Sequence, residues 1–391
     1  EGGWGWFVVL GCHLQHIIIG GFERSDGVLF LKLMSKFNGT ASATSWVCSL
    51  SSTVRLMIGP LASAMCNRFT CRYTTFVGAV LFAVGVLLSG LAPSLVYLYF
   101  TYGVLGGIGR SLSYTPGLLI VGLYFDKKRG LASGISSAGV GIGTFLLPLV
   151  FEILFEEFDF FGAFLILSAI PLNLCICAML FRPLYIHHSI ITTENTTTST
   201  ATQTDPEMGK NSLQKFYMKY IKPQKTETNQ RKLIDFSLLK IPSFLFFCIG
   251  IAIFTASFKS AFTFLPALAK ANGCTEREAA LVMSVTGIVD TVSRIGAGFL
   301  LELGPIKPFR PVVYNVVMFV IVLVTFLCPQ AEGFLEYCLV GCVYGLLTGG
   351  YISQKSVIIV DILGADKISH SFGLMIFFQG LGTLVGPPLS G

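Results

Sequence analysis

Eleven apolar runs of about 20 residues, separated by short polar joints, constrain this chain more than any other feature. At that length a run crosses bilayer hydrocarbon as a helix, and inside lipid every backbone N–H and C=O must find its partner within that helix. The runs fall at 6–34, 43–66, 73–91, 95–123, 130–154 and 161–181, then at 242–269, 279–302, 311–328, 333–362 and 371–389. The first and tenth are long and charged, which predicts that they are broken or strongly tilted. Charged residues make up only 12% of the chain, against about 25% in a soluble domain. The expected fold class is therefore an all-α polytopic membrane protein.

Residues 182–240 interrupt the pattern. A Thr-rich run at 191–204 leads into a basic segment with Lys210, Lys215, Lys219, Lys222, Lys225, Arg231 and Lys232. Such a composition cannot bury a core, so flexibility is expected, with 213–221 lying on the membrane surface. The positive-inside rule places the amino end in the cytosol. Arg68, Arg72, Lys127, Lys128, Arg129, this loop, Lys307, Arg310 and Lys367 then share the inner side, leaving Lys32, Lys36, Lys270 and Arg277 near the outer ends. The expected domains are a six-helix bundle at 1–182, a flexible basic cytosolic loop at 183–240 and a second bundle at 241–391 holding five of six helices. Because Gly391 closes the eleventh run, a twelfth helix is expected to be absent from this fragment.

The net charge of +6 follows this topology and forms no single basic module, so nucleic acid is not an expected partner. The eleven Cys residues show no CxxC pair and read as small buried hydrophobes. His13 and His16 lie one turn apart without further ligands, so no metal or cofactor is expected. No nucleophile–base pair is set in a run, and the chain does not read as an enzyme.

Charge inside the runs carries the functional signal. Glu23, Arg24, Asp290 and Arg294 lie at depths where an ionised group costs about 2.5 kcal/mol or more, so they face protein or a water-filled path. In a chain of membrane helices they point to a route for a charged or zwitterionic solute. Asp290 and Arg294 are four apart on one helical face. Two readings stand: a structural ion pair, or an Arg294 fork that binds a carboxylate while Asp290 controls its availability. Glu23, Asp26, Arg110 and Lys259 are further cavity candidates. Arg55 has no assigned role, and Lys355 is placed beside Asp361. Asn38-Gly39-Thr40 is an outer-side sequon and a glycosylation candidate, whereas Asn195 is cytosolic. Trp4 and Trp6 read as headgroup-level anchors. Gly341, Gly345 and Gly349, like Gly103 with Gly107 and Gly139 with Gly143, recur at the spacing that lets helix backbones approach closely.

Two stretches carry a family resemblance. One is Glu1-Gly2-Gly3-Trp4-Gly5-Trp6. The other is Tyr124-Phe125-Asp126-Lys127-Lys128-Arg129-Gly130-Leu131-Ala132-Ser133-Gly134-Ile135-Ser136-Ser137-Ala138-Gly139. They resemble the two signatures of the monocarboxylate transporter family within the major facilitator superfamily, departing at Lys128 and Ser136. The resemblance covers the whole chain, including Asp290, Arg294 and the closing Gly386-Pro387-Pro388.

It implies two six-helix bundles rocking about a midplane site of the first, seventh, eighth and tenth helices, in the plasma membrane. It also implies a small carboxylate substrate anchored by Arg294, proton coupling through Asp290, and, for some members, a single-span glycoprotein chaperone. Arg68, Lys127 and Arg129 then belong to signature loops, either as topology markers or as gating ion pairs. Arg24 stands where proton-coupled lactate carriers have a Lys for substrate and proton. Arginine effectively cannot lose its proton, and with Leu172-Asn173-Leu174-Cys175 it resembles the creatine-transporting branch. Creatine would need an acidic partner, for which Glu23, Asp26 and Asp290 are available. The expected function is a plasma-membrane carrier of small monocarboxylates by alternating access, with proton symport, or alternatively facilitative transport of creatine or a related zwitterion. The partners are that solute and membrane lipid. A receptor or intramembrane enzyme is the rival class, and a transport-dead sensor with the same fold is a third option.

Overall fold

Polar joints between the apolar runs act as helix caps. The side chains of Thr40, Thr70, Ser94 and Asp159 each accept a hydrogen bond from the backbone N–H three residues on. Thr275 and Glu278 cap each other reciprocally. Each cap satisfies donors that the first turn leaves without partners. The computed structural model describes residues 3–182, 235–364 and 367–390. The basic segment, the surface helix at 213–221 and Asn195 lie outside the described residues.

Eleven helical spans follow in the expected order among the described residues. The first is Trp4–Arg24 continued as Asp26–Phe37, and the second Ala41–Met57 continued as Gly59–Arg68. The third is Cys71–Gly90. The fourth runs through Leu95–Leu98, a π turn at Tyr99–Leu105 and Gly106–Tyr124. The fifth is Arg129–Glu157, and the sixth Phe160–Leu172 with Leu174–Leu180. The last five are Pro242–Ala271, Glu276–Leu300, Arg310–Leu327, Phe334–Leu363 and Ile368–Ser390. Among the described residues, seven helices are long and apolar enough to cross a membrane alone, eight with the bent second span.

The breaks have local causes. The first span is interrupted at Ser25, whose hydroxyl bonds back to the Gly21 carbonyl at 2.8 Å, a contact that bends helices. The second turns by 43° where Gly59-Pro60 removes a ladder donor. The tenth, expected to be broken or tilted, is one continuous helix. Its charges, Lys355 and Asp361, are accommodated by neighbouring spans, so the helix need not yield.

The fifth span packs on the first and the eighth, and the second on the eleventh. The eighth and tenth spans also pack together, and glycines set their distance: a Cβ on Gly349 would meet the Asp290 carbonyl oxygen at 2.5 Å and the Arg294 nitrogen at 3.0 Å. Phe22, Phe82, Phe151 and Phe164 centre one core, and Phe254, Tyr314 and Tyr351 another. Phe145 and Phe326 are each 76% exposed. Such outward apolar faces suit lipid rather than water.

Candidate functional site

The eighth span carries the tightest charge pair. Asp290 and Arg294 fall one helical turn apart, and the Arg294 Nε and Nη2 both approach Asp290 Oδ2, at 2.9 and 2.7 Å. The Thr348 hydroxyl of the tenth span donates to Asp290 Oδ1 at 3.2 Å. Arg294 Nη1 donates to the Ser137 carbonyl of the fifth span at 3.1 Å, tying the early spans to the late ones. Arg294 is 1% exposed and Asp290 8%. Each guanidinium nitrogen therefore already has an acceptor.

The first span breaks where its charges lie. Arg55 Nη2, from the second span, donates to both oxygens of Glu23 at 3.0 and 2.9 Å, and its guanidinium lies 4.9 Å over the Tyr114 ring. Arg24 is half-buried and within electrostatic range of Glu23, Asp290 and Arg294. Asp26 accepts from the Tyr102 hydroxyl at 3.0 Å, which in turn accepts from Arg110 at 2.6 Å. Arg110 is fully buried, 4.8 Å from the rings of both Phe82 and Tyr102. Its Nε and Nη1 have no hydrogen-bond partner among the described residues. The Lys259 side chain lies outside the described residues.

Lys355 does not pair with Asp361. Its Nζ donates to Gln379 Oε1 of the eleventh span at 3.0 Å, while Asp361 faces Arg310 at 3.8 Å. About one and two-thirds helical turns separate the two positions on the tenth span, which puts them on different faces. Lys355 borders a cavity of about 10 Å³, lined also by His16, Tyr114, Ser133, Ser137 and Ser356, a volume near that of one water. His16 Nδ1 contacts the Cys12 carbonyl at 2.8 Å and His13 Nδ1 the Ile135 carbonyl at 2.7 Å.

Three polar contacts between the early and late spans lie at the end that carries Arg68, Arg129 and Arg310. The Ser133 hydroxyl donates to the Ser353 carbonyl at 2.7 Å and lies 3.3 Å from Ser356. The Gly130 N–H donates to Glu302 Oε1 at 2.6 Å, and Glu302 pairs with Arg310 at 2.7 Å. Asn67 and His370 approach at 3.4 Å. Arg129 itself ties its own loop, donating to the carbonyls of Gly122 and Phe125. Arg68 and Lys127 are exposed. At the other end, Asn38 is exposed in the left-handed conformation, with φ 46°.

Sequence reasoning missed Glu302, Arg310 and the Glu23–Arg55 pair. For Glu302 and Arg310 a signal existed: their joint follows the second span of the late half, as Asn67–Arg72 follows the second span of the early half. Internal repeats make such positions correspond. Nothing in the sequence matched Glu23 to Arg55.

A profile of the Major Facilitator Superfamily matches residues 18–391. The whole chain is 29% identical over 402 residues to monocarboxylate transporter 12 of Homo sapiens, covering 75% of that protein. It is 30% identical over 404 residues to monocarboxylate transporter 12-B of Danio rerio, covering 81% of it. Against monocarboxylate transporter 2 of Homo sapiens it is 30% identical over 392 residues, covering 80%. Among solved structures, the major facilitator proton:xylose symporter bound to 6-bromo-6-deoxy-D-glucose superposes with a TM-score of 0.62 at 16% identity. That match covers 97% of this chain and 86% of the other, and it speaks to fold alone.

Proposed function

Because the chain belongs to the monocarboxylate transporter family of the major facilitator superfamily, we propose that it carries small monocarboxylates across the plasma membrane by alternating access. It is a multi-pass transporter and not an enzyme. The observation that carries the reading is the buried Asp290–Arg294 pair, a guanidinium held by a carboxylate among membrane helices. Protonating Asp290 removes the charge that holds Arg294 and frees a planar fork suited to a substrate carboxylate. Substrate and proton are thereby linked. Arg24 supplies a second cationic contact. The early and late halves, joined by a cytosolic loop at 183–240, rock about this site. The amino end is cytosolic, and a single-span glycoprotein is the candidate chaperone.

One observation favours a second reading, facilitative transport of creatine or a related zwitterion. The Glu23 side chain keeps 25% of its surface exposed beside Arg24, so the site offers an acid as well as cations. Uptake of labelled lactate and labelled creatine at mildly acidic and at neutral pH separates the two. Lactate uptake that rises with acidity supports proton-coupled monocarboxylate transport. Creatine uptake indifferent to pH supports the second reading, and uptake of neither substrate contradicts both.

A further inference from the structure

Each acid of the central cluster already has an arginine: Glu23 has Arg55 and Asp290 has Arg294. Lys355 has neither kind of arrangement. It is 6% exposed, and its one hydrogen bond goes to the neutral amide oxygen of Gln379. Among the described residues no carboxylate lies within ion-pair distance of it. Arg294 and Arg55 are in electrostatic range and repel it, and Glu23, already paired with Arg55, offsets them only in part. A buried cation in such surroundings costs free energy unless a counter-charge arrives.

We infer that Lys355 is a substrate-binding residue, the cation that first receives the carboxylate of the carried solute in the cavity between His16, Tyr114 and Ser137. The inference rests on the transporter reading of this same site. An ammonium has three donors and Gln379 occupies one, whereas all three nitrogens of Arg294 are engaged. Tyr114 and three serines share the lining of this space with Leu118, Ile352 and Phe372, so a short solute with a small apolar body beside its carboxylate fits it. The cavity has room for about one water, and entry of a solute requires the early and late spans to part. Ser356, the next residue, meets Ser133 across that junction. A carboxylate on Lys355 therefore sits directly beneath a contact that closes one end.

The test is thermal melting of the purified full chain with millimolar lactate or with lactamide, which keeps the shape and lacks the charge. Lactate is expected to raise the melting temperature of the wild type and lactamide is not. Lys355→Gln and Lys355→Met should each lose that shift, and Lys355→Arg should keep most of it. A wild-type-sized shift in both charge-removing variants, or no lactate-specific shift in the wild type, overturns the inference. Vesicle uptake of labelled lactate is measured in parallel. A wild type that binds through Lys355 yet moves no lactate contradicts the transport reading and leaves the binding role standing.

Discussion

Asp290 gives a single oxygen, Oδ2, to both Nε and Nη2 of Arg294, and keeps Oδ1 for the Thr348 hydroxyl. One proton on that shared oxygen would break both guanidinium contacts together. Removing either member of a buried pair instead strands its partner, at a cost of about 3–5 kcal/mol. Under the proposed function the pair opens only when a proton on Asp290 and a substrate carboxylate on Arg294 arrive together, so that neither charge is left stranded.

Arg294→Lys keeps the charge and loses the fork. Lactate uptake at a fixed concentration should fall by about tenfold or more, roughly 1.4 kcal/mol of lost substrate interaction. Initial rates normalised to surface expression check this. Uptake at the wild-type rate would remove Arg294 as the anchor.

Gly349→Ala puts a Cβ against the Asp290 carbonyl and the Arg294 backbone nitrogen. Forced separation of the eighth and tenth spans should cost about 1–3 kcal/mol, lower the melting temperature and reduce uptake. Gly250→Ala, which meets nothing within 4 Å, is the control and should be neutral or slightly stabilising, as expected for alanine in a helix.

Glu302→Gln removes the nearer of the two acidic partners of Arg310, leaving Asp361, and keeps an acceptor for the Gly130 N–H. The closed end should open more often. Faster hydrogen–deuterium exchange at residues 129–134 and 300–304, with no change at 37–42, is the expected signature. Unchanged exchange at both ends would mean that this contact does not hold the closed state.

Much of this arrangement was legible in the sequence. The eleven spans follow from hydropathy and their caps, and Asp290–Arg294 follows from helical spacing, because both depend on neighbours along one helix. Glu23–Arg55, Lys355–Gln379 and Glu302–Gly130 join different spans, and helical periodicity does not say which face meets which. Lys355 shows the difficulty: proximity in sequence suggested Asp361, but the rotation of the tenth span turned the two apart. The break at Ser25 was readable only as an excess of length.

The most direct test compares labelled-lactate uptake by the wild type and Asp290→Asn at mildly acidic and at neutral pH. Asparagine imitates the protonated acid, so at every pH Arg294 lacks its ion pair and keeps only neutral acceptors such as the Ser137 carbonyl. Wild-type uptake should rise as the medium is acidified, and that rise should depend on the Asp290 carboxylate. The variant should retain part of its lactate exchange and respond equally at both pH values. An Asp290→Asn protein whose uptake still rises with acidity would place the proton elsewhere and contradict the account.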